Sequence, residues 1–346
     1  MSVTVTRTKI VVPHRRSDLL SRPRLLLMLD DVLDYPFTLI SAPAGYGKTT
    51  LMIDLAAQAD YPTCWYSLDI LDQDPLRFLV HLVSSIQSQF PHFGSLTLSL
   101  LENLASPFNN LDQLVGTLVN DIYENITEHF VIFLDDIHLI KENHQIGAFI
   151  SRFGRAMDEN THLIITSREL FDLPDLPLLI GRRMVKGLGF EDLAFQIEEI
   201  KALFENKNQG TLTDQEVQQL TEETEGWITG LLLSMNALSD HFPNQARAAQ
   251  VTGTNLFNYL AQEVFASQLD DLQGFLLNSS IFDEFNCDLY CQVFENQFQT
   301  DCSALIALLV QQNLFIQQID AEKSWFRYHQ LFLDFLRLRF HQINSV

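Results

Sequence analysis

Cysteine is scarce in this 346-residue chain, and basic side chains are half as many as acidic ones. Four cysteines, Cys64, Cys287, Cys291 and Cys302, are too few to staple a chain of this size. A disulfide scaffold is therefore excluded and a reducing compartment implied. Cys287 and Cys291 lie four apart, so they could share a helix face. No His or second Cys pair near them completes a zinc set, so thiols in a core are expected rather than metal. No apolar run approaches the ~18 residues of a membrane span, and residues 1–9 are polar, with no signal-peptide core. The expectation is a soluble, cytoplasmic protein. Against 44 Asp and Glu stand 22 Lys and Arg, giving a net charge of −22. Such a surface repels phosphate backbones, so no direct DNA binding by this segment is expected. No solenoid-length repeat is visible either.

What is present is a chain that is 47% apolar, enough for two or three compact units each with its own core. The first half alternates strand-like and helix-like runs, the pattern of a parallel sheet covered by helices. Strands are expected at 37–41, 63–68, 131–134, 162–166 and about 184–185. Asp74-Pro75 reads as an N-cap followed by a first-turn proline. Leu76, Leu79, Val80, Val83 and Ile86 then repeat at helical spacing. Beyond Phe190 helices dominate. Thr213 and Glu216 form a capping box for a helix over 214–223, Gly226 ends it, and 227–238 is a second, apolar helix. Residues 240–253 read as a linker. One or two helices over 256–277, broken near Gln268, another at 303–312, and strands at 314–318 and 325–328 around a turn at 320–323 give a winged-helix order.

Between the first strand and a helix starting near Thr50 sits Ala42-Pro43-Ala44-Gly45-Tyr46-Gly47-Lys48-Thr49, a Walker A loop in the context a phosphate cradle requires. The backbone N–H groups of Ala44, Gly45, Tyr46, Gly47 and Lys48 would surround a β-phosphate. Lys48 would place a charge on the β- and γ-phosphates, and the Thr49 hydroxyl would bind Mg²⁺. Ala42 stands where the pattern normally opens with Gly, so its φ must be negative. The third strand runs into Asp135-Asp136, the form of a Walker B strand. Asp135 would hold Mg²⁺ through water, and Asp136 would orient the attacking water. The shorter reach of Asp than Glu at 136 points to a slow Mg²⁺-dependent ATPase at most. Arg168, after the fourth strand, falls where ligands gather in parallel sheets and could contact a γ-phosphate.

Ser41–Thr50, Trp65-Tyr66-Ser67-Leu68-Asp69, Asp135-Asp136-Ile137-His138-Leu139-Ile140 and Arg327-Tyr328-His329-Gln330-Leu331-Phe332 resemble the nucleotide-binding and winged-helix signatures of MalT-like, large LuxR-type activators within the STAND class of signalling ATPases. The resemblance runs from about Arg7 to about Phe340. It implies a P-loop NTPase domain at 1–189, a helical domain at 190–242 and a winged-helix domain at 243–346. It further implies an ADP-bound resting state and an ATP-bound state that self-associates. Thr50 would complete the phosphate loop, and His329 would reach the β-phosphate of ADP as a latch, unless it is a core histidine satisfied within its own domain. Two departures stand out. Gly226-Trp227-Ile228 replaces Gly-x-Pro, leaving Ile228 as the apolar contact to adenine and base selectivity open. Ser21-Arg22-Pro23-Arg24 replaces Gly-Arg-Glu, so that Arg22 and Arg24 are either nucleotide contacts or solvated charges. Relatives continue into a helical-repeat sensor and a DNA-binding domain, expected here C-terminally in a longer protein or on partners. Three alternatives stay open: a P-loop ATPase with sustained turnover, an ADP-locked scaffold, and a STAND receptor with a non-transcriptional output.

Overall fold

The computed structural model describes residues 3–17, 19–103, 107–205, 213–235, 260–294, 301–320 and 324–344. The chain divides into two compact units. One comprises Met1–Ala42 and Gly47–Leu193, the other Pro43–Tyr46 and Ala194–Val346.

The first unit is built on five parallel strands, β1 (Phe37–Ser41), β2 (Thr63–Ser67), β3 (Phe130–Asp135), β4 (Thr161–Ser167) and β5 (Val185–Leu188), in the order β2-β3-β4-β1-β5. Every residue of β1, β3 and β4 is buried, as expected for inner parallel strands covered on both faces. Helices α1 (Lys48–Gln58), α2 (Pro75–Gln87), α3 (Ser95–Asn103), α4 (Leu111–Asn125) and α5 (His144–Ala156) accompany the sheet. Asp74 caps α2, accepting from Arg77 N at 2.7 Å. The buried stripe of α2 runs through Phe78, Leu79, Leu82, Val83 and Ile86. Leu76 and Val80 are only partly buried, so the face is rotated from the one expected, toward the bulkier Phe78. On α5, Gly154 leaves room for the Phe37 ring, which any Cβ there would strike. That contact packs the helix directly on β1.

In the second unit α6 (Ile197–Glu205), α7 (Asp214–Thr224) and α8 (Ile228–Met235) come first. The expected capping box opens α7, with Glu216 N donating to Thr213 Oγ1 and Thr213 N to Glu216 Oε2. A turn of helix at Leu260–Phe265 precedes α9 (Asp270–Ser279), α10 (Cys287–Phe294) and α11 (Cys302–Gln311). Strands β6 (Ile316–Asp320) and β7 (Trp325–Tyr328) and a last helix, α12 (Gln330–Asn344), complete the unit. β6 and β7 pair antiparallel, and Phe285 adds a bridge to Phe326. This is a winged helix with a one-residue third strand. The sequence reading did not resolve α10, which begins two residues after Phe285. Phe275, Phe285, Tyr290, Phe326, Tyr328 and Phe332 are buried and form its aromatic core. Cys64 and Cys302 are buried as expected, whereas Cys287 and Cys291 are half-buried. The expected linker at 240–253, the boundary at 242/243 and the hairpin tip at 321–323 lie outside the described residues.

Candidate functional site

β1, β3 and β4 end together. Ser41 is in register with Ser167, and Leu134 with Ile165. The residues just past those ends therefore share one edge of the first unit, where ligands of parallel sheets collect. Ala42 continues the ladder, its N–H donating to Ser167 O at 3.2 Å, and it is not among the residues with positive φ. A glycine is not needed there. Gly47 is left-handed, at φ 81°, and α1 begins immediately after it.

Lys48 is buried, and its Nζ donates to Ala42 O at 2.7 Å. Burial lowers its ammonium to about 8, a shift opposed by Asp136 and Asp135 and reinforced by Arg168. The charges of all three therefore face it. Thr49 Oγ1 donates to Asp135, with Oδ2 at 2.9 Å. Thr166 Oγ1 donates to Asp135 Oδ1 at 2.6 Å and accepts from Asp136 N at 2.9 Å. Asp135 is 4% exposed. Burial, then the neighbouring Asp136, raises its carboxyl to about 6 despite the two hydroxyl donors. Asp136 is left-handed at φ 63°, a conformation Asp tolerates better than most residues. Thr50 follows Thr49 in the first turn of α1.

His138 was part of a motif but had no role in the sequence reading. Its Nδ1 accepts from Arg168 N at 3.4 Å and lies 3.7 Å from Asp136 Oδ1. Burial, with Arg168, Lys48 and Lys141 nearby, lowers it to about 3, so the ring is neutral. Lys141 reaches both carboxylate oxygens of Glu169 at 2.8 Å, and Ser41 Oγ donates to Glu169 O at 2.9 Å. The segment carrying Arg168 is thus tied to the ends of both β1 and β3.

The half-buried Thr49 hydroxyl beside the buried Asp135 carboxylate is an oxygen donor set suited to a hard divalent cation. Mg²⁺ characteristically takes one or two protein oxygens and completes its shell with water and phosphate. Among the described residues no group of three or more His, Cys, Asp or Glu is placed to hold a metal ion. None of the described helices is long and apolar enough to cross a membrane.

The loop segment Pro43–Tyr46 belongs to the second unit. Trp227 Nε1 donates to Ala44 O at 3.0 Å, and Thr229 Oγ1 to Gly45 O at 3.1 Å. Gly45 is left-handed, at φ 78°, and a Cβ on it would meet Thr229 and the Trp227 Nε1, the latter at 2.9 Å. Glycine is required there on both counts. Ile228 opens α8 between these two contacts. Tyr46 is 2% exposed, and burial followed by the Glu225 charge pushes its hydroxyl up. His329 is 2% exposed, with Nε2 on Thr224 O at 2.8 Å and Nδ1 accepting from Leu331 N at 3.2 Å. Both ring nitrogens therefore have partners within the unit. Arg22 is buried rather than solvated, with Nη1 donating to Leu193 O at 2.8 Å. Arg24 Nη2 bonds Asp192 O at 2.9 Å. Thr166, Trp227, Thr229 and Glu225 were missed as site residues, because only tertiary contacts single them out.

Residues 261–345 match the MalT winged helix domain model. The chain is 33% identical over 338 residues to the HTH-type transcriptional regulator MalT of Yersinia pestis (strain Pestoides F), covering 96% of this chain and 36% of that protein. MalT of Yersinia enterocolitica serotype O:8 / biotype 1B is 33% identical over 339 residues, with the same coverage. The chain thus spans about a third of the length of the curated relatives it matches. Among solved structures, the Walker-type ATPase PABY2304 of Pyrococcus abyssi aligns with a TM-score of 0.60 at 18% identity. That alignment covers 93% of this chain and 97% of that one, a likeness of fold.

Proposed function

We propose that this chain, which is similar to MalT along nearly its whole length and whose residues 261–345 match the MalT winged helix domain model, is an ATP/ADP-dependent regulatory module of the STAND signalling class. The observation that carries this reading is the meeting of Lys48, Thr49, Asp135 and Arg168 at the ends of β1, β3 and β4, with Thr49 and Asp135 in direct hydrogen bond. Lys48 and the loop N–H groups would hold the phosphates. Thr49 and Asp135 would hold Mg²⁺, which neutralises phosphate charge when bound. Arg168 would sense the γ-phosphate from a segment held in place by His138 and by the Lys141–Glu169 pair.

Asp136 would position water for slow hydrolysis, so that the bound nucleotide acts as a timer. ADP would hold a resting state, and ATP would promote self-association. In the resting state His329 would exchange the Thr224 carbonyl for the β-phosphate, a trade that leaves its Nε2–H satisfied either way. Transcriptional output would need a DNA reader outside this acidic segment.

The first test is to denature the purified protein and identify any released nucleotide by chromatography, then to measure thermal shifts with Mg-ADP and Mg-ATP. Stoichiometric ADP, a shift with both nucleotides and assembly only with ATP support the reading, since a tight ligand must stabilise the fold it binds. An empty protein unmoved by either nucleotide overturns it. Lys48→Ala should abolish the shift.

A further inference from the structure

Glu225 is the C-cap of α7 and holds a left-handed backbone, at φ 46°, a conformation in which a β-substituted residue is strained and glycine or asparagine is usual. Strain of this kind persists where the surroundings hold the residue for a purpose. The Glu225 carboxylate accepts from Gln330 N at 3.0 Å, from Arg327 Nη1 and Nη2 at 3.3 Å each, and from Gln317 Nε2 at 3.4 Å. Next to it, the Thr224 carbonyl takes the His329 Nε2–H, while His329 Nδ1 takes the Leu331 N–H.

The carbonyl end of α7 and the amide end of α12 therefore cap each other. Glu225 and His329 satisfy two of the N–H groups that α12 cannot satisfy internally, and His329 satisfies one carbonyl of α7. A carboxylate is also favoured by the positive end of the α12 dipole. The Arg327 side chain is 41% exposed and that of Glu225 18%, so the ion pair alone contributes little. The buried His329–Thr224 O contact matters more, and the Gln330 N–H adds a second bond to the joint. The Glu225 charge is also felt at the phosphate-loop tip, where it adds to burial in pushing the Tyr46 hydroxyl up.

We propose that Glu225 is a positioning residue for the nucleotide switch: it clamps the start of α12 to the end of α7 and so sets where His329 stands. The switch role rests on the reading under Proposed function, whereas the helix-to-helix joint does not. Without the carboxylate, α12 loses a cap, His329 loses its fixed placement, and the state that depends on His329 is released.

The test compares wild type, Glu225→Gln and Glu225→Gly by amide hydrogen exchange and by dissociation of fluorescent ADP and ATP analogues. Glu225→Gly relieves the backbone, so a purely conformational role predicts that it behaves as wild type or better. The expected result is exchange at residues 330–331 about tenfold faster in Glu225→Gly, the effect of losing a charge-assisted bond, with a smaller rise in Glu225→Gln, which keeps a neutral acceptor oxygen. ADP release is expected to quicken by a similar factor while ATP release stays unchanged. A loss of general stability would speed both nucleotides alike. Unchanged exchange at 330–331 overturns the joint, and equal changes in ADP and ATP release overturn its part in the switch. Wild-type protein that binds neither nucleotide overturns the proposed function and the switch role with it, while the exchange result still decides the joint.

Discussion

Replacing Asp135 by Asn should make the nucleotide-free protein more stable. The carboxyl is 4% exposed, and burial, then Asp136, raises it from 3.8 to about 6. A carboxylate raised in the folded state favours folding fully only while protonated, below 3.8. That contribution is lost as pH rises through about 6, and above it the folded protein carries a charge it disfavours. The difference corresponds to about 3 kcal/mol at ~1.36 kcal/mol per tenfold in proton affinity. Asparagine keeps an oxygen to accept from Thr49 and Thr166 and never ionises. Asp135→Asn should therefore stabilise the first unit by about 2–3 kcal/mol at pH 7.5, and the gain should vanish by about pH 4. The assay is amide exchange of the β3 and β4 core, which opens only with the unit as a whole. In the same variant the Mg²⁺-dependent part of nucleotide affinity should disappear. A variant equal to or less stable than wild type at pH 7.5, or a gain that does not change with pH, refutes the reasoning.

Mg-nucleotide affinity should be flat between about pH 6 and pH 8, because Asp135 must be charged and Lys48 protonated. Below that window binding should release a proton, and above it binding should take one up; calorimetry in buffers of different ionisation enthalpy reads both. Gly47→Ala meets only its positive φ, with nothing within 4 Å of the added Cβ, and should cost about 1 kcal/mol. Gly45→Ala meets both φ and the Trp227–Thr229 pair and should cost at least about 2 kcal/mol in thermal unfolding; equal losses would contradict the crowding. Trp227→Phe keeps a ring but leaves the Ala44 carbonyl without its indole donor, and should destabilise the second unit by about 1–2 kcal/mol by amide exchange of α8.

Local chemistry was legible along the chain. Asp74-Pro75 and the Thr213–Glu216 box opened the helices they were expected to open. Five apolar runs became five parallel strands, and the glycine-bearing loop lay between the first strand and a helix. These signals act over a few residues, through φ, capping and burial period, so sequence alone carries them. The face of α2 was misjudged because two positions of similar hydropathy compete for one stripe, and the partner surface favours the bulkier Phe78.

The sequence by itself determined the loop, the strand end and the residue types from which the candidate phosphate and cation ligands are named, because these are local facts. Tertiary structure decided their state. Strand order put β4 between β1 and β3, which let Thr166 bond both Asp135 and Asp136. Burial raised Asp135 and lowered Lys48. Contacts between residues more than a hundred positions apart gave Trp227, Glu225 and His329 their partners. Desolvation and long-range hydrogen bonding exist only once distant segments pack, and no pattern along the chain records them.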